Sequence, residues 1–261
     1  MIRKLTQEDH DLVFAYLKKE ASINLFIIGD IEAYGYETEF QELWGDFDEK
    51  GALKGALLRY YESFIVYGEG YDKDGFLEIM KRYPFQGVSG SRDLVLGLEA
   101  DLSALGFAAR DTYFAQCRQP NSHDSKIAVK RAAASDALAI ATVESQITEF
   151  SERPSLEKRA AQIQKKFESK AGRTYFAKAD GKMVSIASST AENSLSAMVV
   201  GVATLPDYRR KGYTTAILSE LLADLLATKE SVCLFYDNPA AGAIYKRAGF
   251  EDIGMWRMYV K

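Results

Sequence analysis

The sequence predicts an α/β protein (α+β in its mixed sheets) made of two similar halves, each a sheet flanked by helices. Three observations carry this reading. The chain has 261 residues, which at about 150 residues per domain is nearer two compact domains than one. The polar run Arg118–Ser125 contains Pro120, Asn121 and Ser122, residues that break regular structure, and it divides 1–118 from 126–261. On either side the same order recurs: a short apolar strand, a helix-start signal, and a Gly-Phe pair before a closing strand.

In the first half, Ile2–Leu5 is the opening strand. Thr6 followed by Gln7, Glu8 and Asp9 is a cap with acids in the first turn. A later helix is expected near 73–82, after the turn Gly68–Asp74. Gly106-Phe107 stops a helix and starts the last strand, because glycine accepts the left-handed conformation at a helix end.

In the second half, Ile127–Arg131 is a strand, and Ser135-Asp136 is the start signal of a helix near 135–148. A second helix is expected near 155–170 and strands near 173–179, 182–190 and 196–204, the first two joined by an Asp180-Gly181 hairpin turn. Ile217, Leu218, Leu221, Leu222, Leu225 and Leu226 form one apolar face of a long helix that starts near Gly212. Val232–Tyr236 is a continuous apolar strand, and 239–247 a short helix ended by Gly249-Phe250.

Composition narrows the function. The net charge is −4, a poor match to a phosphate backbone, so no nucleic-acid partner is expected. No apolar run approaches the 18 or so residues of a membrane span, and the polar start of the chain does not look like a signal peptide. Cys117 and Cys233 lie far apart, which argues for a reducing, cytoplasmic setting without a disulfide framework. Together with His10 and His123 they lack the close ligand pairs of a zinc site, so no metal is expected. Gly68-Glu69-Gly70 begins like a dinucleotide fingerprint but has no third glycine.

The chemistry concentrates in the stretch from Gly201 to Thr215. A strand ends near Thr204, Pro206 breaks it, and Arg209, Arg210 and Lys211 precede Gly212 and the long helix. A helix N-terminus offers unpaired N–H groups and a partial positive charge, a natural seat for a pyrophosphate. A solvated basic turn with a helix cap is the plainer alternative.

The run V-x-T-x-P-x-x-R-x-x-G-x-T resembles the acetyl-CoA signature of the GNAT N-acetyltransferase superfamily, [QR]-x-x-G-x-[GA]. Arg209 and Gly212 match it, while Thr214 stands where glycine or alanine is usual and could itself donate to a phosphate. Downstream, Asn238–Phe250 resembles the family's N-x-x-A-x-x-x-Y-x-x-x-G-F segment. The resemblance covers about 126–261; the first half follows it only in element order, like the degenerate half of a tandem GNAT protein. It implies two GNAT-like domains, each a twisted, mostly antiparallel sheet flanked by helices, with 1–118 degenerate and 126–261 binding acetyl-CoA.

The residues implied for the cofactor are Val202, Ala203, Thr204, Arg209, Arg210, Lys211, Gly212, Tyr213, Thr214, Thr215 and Asn238, with Asn238 on the pantetheine arm. Tyr245 is implied as the general acid that protonates the leaving thiolate. A backbone N–H splayed out near Val202–Thr204 would hold the thioester carbonyl. No base is assigned: Glu192, Glu144 and Glu149 are candidates that read more simply as solvated surface acids, and a water chain can serve. In the first half, the many aromatics with Glu32, Glu37 and Glu39 would suit a cationic acceptor. The expected function is an acetyl-CoA-dependent N-acetyltransferase acting on a primary amine, a small molecule or else a protein N-terminus or lysine. Its alternatives are a non-catalytic acyl-CoA-binding protein and an acyltransferase with a longer donor.

Overall fold

The computed structural model describes residues 1–148 and 154–261. The chain forms two compact units: Met1–Ala115 with Phe235–Asp237 and Asp252–Lys261, and Gln116–Leu234 with Asn238–Glu251. The units are thus not consecutive halves. The closing strand, which the sequence reading keeps with the second half, packs within the first unit.

The first unit opens with β1 (Ile2–Lys4), α1 (His10–Leu17) and α2 (Leu25–Tyr34), followed by β2 (Gln41–Phe47), β3 (Leu53–Tyr60) and β4 (Ser63–Tyr67). Then come α3 (Lys73–Met80), β5 (Gly87–Ser91), α4 (Arg92–Val95), α5 (Glu99–Ala104) and β6 (Ala108–Cys117). Thr6 and Asp9 form a full capping box ahead of α1, and Arg3 fastens Asp9 with two contacts of 2.6 and 2.8 Å. That guanidinium holds the Asp9 carboxyl down at about 2. Asp72 caps α3 by accepting from the Gly75 N–H. Gly106 sits at φ +85° between α5 and β6, as a helix stop requires.

In the second unit β7 (Val129–Arg131), α6 (Ala137–Ser145), α7 (Leu156–Glu168), β8 (Thr174–Ala179), β9 (Lys182–Thr190) and β10 (Ser196–Thr204) lead to α8 (Tyr213–Leu226), β11 (Ser231–Tyr236) and α9 (Pro239–Ala248). The last strand, β12 (Glu251–Val260), pairs antiparallel with β5 from Trp256↔Ser91 to Val260↔Gly87. The strand order of the first unit is β1-β2-β3-β4-β5-β12-β6, and that of the second β11-β10-β9-β8-β7.

Asp180 and Gly181 both have positive φ, +51° and +77°, as a two-residue hairpin turn needs. Ser135 does not cap a helix. It lies inside a short 3-10 turn, Ala134–Asp136, and Ala133 takes the capping position, its N–H donating to Asp136 Oδ2. The segment expected to be a linker is tied down: Asn121 bonds through its N–H to Ala248 O and through Nδ2 to Arg247 O.

The core of the first unit gathers Phe64, Phe76, Met80, Val88, Phe107 and Tyr259. A second aromatic group there joins Phe26, Phe114, Phe235 and Trp256. In the second unit, the predicted stripe of α8 is fully buried from Ile217 to Leu225, and Ile140, Ile163, Phe176 and Ile186 pack between α6, α7 and the sheet.

Candidate active site

Strand β10 is regular at first, with Met198, Val199 and Val200 facing Thr190, Ser189 and Ser188 of β9. Its register then shifts and resumes at Ala203↔Ile186 and Thr204↔Ser185. Gly201 stands in the shift with φ +61°. A bulge of this kind bends the strand and takes backbone groups out of the ladder. A Cβ on Gly201 would have 3.9 Å to both Glu144 Oε1 and Ser188 Oγ, so it is the backbone conformation, not lack of space, that calls for glycine. On its other side β10 pairs with β11 in parallel from Ser196↔Ser231 to Met198↔Cys233, and then runs on to Thr204. Of the three residues assigned to this strand, Val202 lies in the bulge, while Ala203 and Thr204 are back in the ladder.

Past Thr204 the chain makes a 3-10 turn, Pro206–Tyr208, and Arg209 Nε donates to Thr204 O at 3.1 Å. Arg210 has φ +61° and Gly212 φ +86°, and α8 starts at Tyr213. This brings the exposed Arg209, Arg210 and Lys211 to the N-terminus of a helix, where the N–H groups of Tyr213, Thr214 and Thr215 have no partner within the helix. Lys211 Nζ rests 5.2 Å from the ring centre of Tyr208.

The Thr214 hydroxyl has a partner inside the protein. Its Oγ1 lies 2.8 Å from Thr204 Oγ1, which lies 2.6 Å from Ser185 Oγ, and the Ser185 hydroxyl donates to Ala203 O at 3.0 Å. Each hydroxyl has one proton to give. With the Ser185 proton on Ala203 O, Thr204 donates to Ser185 and Thr214 donates to Thr204. In that arrangement the Thr214 proton is spent inside the protein, pinning the first turn of α8 to β9 and β10, and does not reach a phosphate.

Asn238 starts α9, its Oδ1 accepting from the Ala240 N–H at 2.9 Å. Tyr245 lies two turns along α9, half-buried, with its ring edge-on to Phe250 at 6.0 Å. Burial pushes its phenol up, which keeps the proton on at neutral pH.

The candidate bases behave differently from simple surface acids. Glu144 on α6 is buried and gripped by Arg159 of α7 through two contacts, 2.6 and 2.9 Å. A carboxylate taken from water needs such a partner. Glu192 pairs with Arg173 at 3.1 Å and accepts from the Ser189 hydroxyl. Glu149 lies outside the described residues. Among the described residues no three His, Cys, Asp or Glu side chains group as metal ligands. His10 contacts Tyr36 at 3.2 Å, a packing role in the first unit.

Residues 139–250 match the sequence model of the acetyltransferase (GNAT) family. No curated protein matches the chain in sequence. Several solved structures share its fold along its whole length. A Drosophila protein aligns 100% of this chain with 98% of its own at TM-score 0.68 and 12% identity. A GNAT-family acetyltransferase from Colwellia psychrerythraea aligns over 100% of both chains at TM-score 0.58 and 14% identity. A tandem GNAT protein from the clavulanic acid biosynthesis pathway aligns 100% with 98% at TM-score 0.55 and 14% identity.

Sequence reasoning named Gly201 only as the start of the chemistry-bearing stretch and not as a bulge, although a glycine inside a strand pattern is itself a bulge signal. It also missed Arg159, whose pairing with Glu144 depends on how α6 and α7 pack and has no local signature.

Proposed function

We propose, from the match of residues 139–250 to the acetyltransferase (GNAT) family, that the protein is an acetyl-CoA-dependent N-acetyltransferase acting on a primary amine. The observation that carries the reading is the continuous path from the bulge at Gly201 through the basic turn to the start of α8. The path offers one backbone donor for a carbonyl and a cationic helix end for a pyrophosphate. In this reading Arg209, Arg210, Lys211 and Gly212 hold the phosphates with the N–H groups of Tyr213, Thr214 and Thr215. Val202, at the bulge beside Ala203 and Thr204, presents its N–H to the thioester oxygen, and Asn238 meets the pantetheine arm with its amide nitrogen.

The amine nitrogen attacks the thioester carbon, the C–N bond forms and the C–S bond breaks. The thiolate takes the Tyr245 proton, and the amine's surplus proton leaves to water. Tyr245 then recovers a proton from solvent. Glu144 and Glu192 are already committed to Arg159 and Arg173, which favours water over either carboxylate as the proton's first acceptor.

Residues 1–118 form the degenerate GNAT-like domain in this proposal, and 126–261 the acetyl-CoA domain. One feature supports the asymmetry. The turn into α3 carries Glu69 and Asp72, and Lys73 and Asp74 open the helix, where the turn before α8 carries three cations; acids there repel a pyrophosphate while favouring the helix.

The committed carboxylates also fit a protein that binds acyl-CoA without turning it over. Release of free CoA with a panel of amines, beside calorimetric titration of CoA, separates the two readings. The proposal expects one CoA bound per chain and amine-dependent release; two bound per chain, or binding with no release for any amine, refutes it.

A further inference from the structure

Helix α2 carries a carboxylate that the chain leaves without a counterpart. Leu25, Ile27, Ile28 and Ile31 of this helix are buried in the core. Phe26, Asp30 and Tyr34, each four residues on, share another stripe of it. Phe26 and Asp30 are half-buried, and Tyr34 is 43% exposed. The Phe26 ring lies against Phe235 and Trp256, with 6.2 and 6.1 Å between centres. The Tyr34 ring meets Phe40 edge-on at 5.2 Å and Tyr60 at 5.9 Å. Asp30 thus stands between two aromatic groups, one helical turn, or about 6 Å of rise, from each. All of these residues belong to the first unit.

No group in the first unit answers this charge. The Asp30 carboxylate has no ion pair or hydrogen bond among the described residues. Burial pushes it up to about 6, and no cation acts against that. Its charge reaches the Tyr60 phenol, which burial, the Tyr34 hydroxyl and Asp30 together push up to about 12. Asp30 is the sixth residue of its helix, too far along for the N-terminal dipole to help. Glu37, an acid of the same region, is by contrast held by Lys4 at 2.6 Å. Taking a carboxylate from water without a partner is costly. One carboxylate among rings is not a metal site, which needs several oxygen ligands. It suits an organic cation, which a carboxylate and π faces both attract.

We propose that this stripe binds an arylalkyl ammonium ion, with its N–H groups on Asp30 and its ring against Tyr34. A ring two carbons from the nitrogen can bridge the single turn between these side chains. The site holds whether or not the second unit transfers acetyl groups, because it is read from binding alone.

The test is calorimetric titration of the full chain with phenethylamine at about pH 8, where a carboxyl at about 6 is ionised, with the Tyr34 ring protons followed by NMR. Saturable binding is expected. Asp30→Asn keeps the shape and removes the charge, and should weaken binding roughly tenfold or more. Since that charge is unpaired, the same variant should unfold no sooner than the parent. Tyr34→Leu should weaken binding roughly two- to tenfold, the size of one aromatic pair. Ethylamine has the charge without the ring, and phenethyl alcohol the ring without the charge; each should bind more weakly. The proposal is overturned if phenethylamine does not saturate the parent, if either variant binds it as tightly as the parent, or if ethylamine or phenethyl alcohol binds as well. It also falls if Asp30→Asn unfolds well below the parent, because the carboxylate then has its partner within the chain.

Discussion

The hydroxyl chain from Ser185 to Thr214 makes a prediction that separates two roles for one side chain. If Thr214 donates to a phosphate, Thr214→Ala weakens CoA binding. With the Ser185 proton on Ala203 O, the Thr214 proton goes to Thr204 Oγ1, 2.8 Å away, so removing it should cost stability instead. A net hydrogen bond is worth about 0.5–1.5 kcal/mol, and the loss leaves Thr204, which is 8% exposed, one donor short. The expected cost is about 1 kcal/mol, or a fall in thermal midpoint of roughly 2–4 °C for a protein of this size. Alanine is also a usual residue at this place in the signature, so CoA affinity should stay within about twofold. Thr204→Val and the double variant complete a cycle, in which the double should cost clearly less than the sum of the singles because the two residues share one bond. The assay pairs thermal unfolding with calorimetric titration of CoA. A tenfold loss of CoA affinity with an unchanged midpoint would show that the hydroxyl serves the phosphate and that the chain of donors runs the other way.

Three further outcomes are expected. Gly212→Val has room, since a Cβ would sit 3.7 Å from Ile127 Cδ1, but φ +86° costs a β-branched residue about 1–2 kcal/mol, and straightening the turn should abolish CoA binding while the chain stays folded; parent-like titration would move the site elsewhere. Tyr245→Phe should lower kcat by roughly 10²–10⁴-fold with CoA affinity within a few-fold, because the proton is needed as the thiolate leaves; an unchanged chemical step removes Tyr245 from the mechanism. The Arg3–Asp9 contact should contribute stability above about pH 4, where the unfolded carboxyl is ionised, and lose it as pH falls toward the folded value of about 2. Arg3→Ala should therefore flatten the acid limb of a stability–pH curve, and an identical limb in parent and variant would deny the pair that role.

Much of the second unit was legible in the sequence because its elements have strong local signals. The strands Thr174–Ala179, Lys182–Thr190 and Ser196–Thr204 alternate or run apolar between clear turns, and Asp180-Gly181 permits little but a hairpin. Ser135 was misread because a serine beside an acid is a common cap, whereas here the acid itself, Asp136, reaches back to the Ala133 N–H. The basic turn could be read because cations and glycine are consecutive. The state of Thr214, Glu144 and Glu192 could not: each is decided by a partner far along the chain, at Thr204, Arg159 and Arg173, whose approach is set by packing.

The placement of β12 has a consequence for how the protein is made. In the first unit this strand lies between β5 and β6, and its register with β5 joins Val260 to Gly87. A ribosome releases Gly87 and all of β6 long before it has synthesised Val260. Until β12 is made, β5 and β6 lack the neighbour that separates them, and Tyr259 is missing from a core in which it is wholly buried. The first unit's other strands thus emerge before the second unit, but its sheet cannot be completed before residues 251–260 are added. Pairings so distant in sequence close slowly and leave strand edges exposed meanwhile, so the order of birth and the order of completion run in opposite directions.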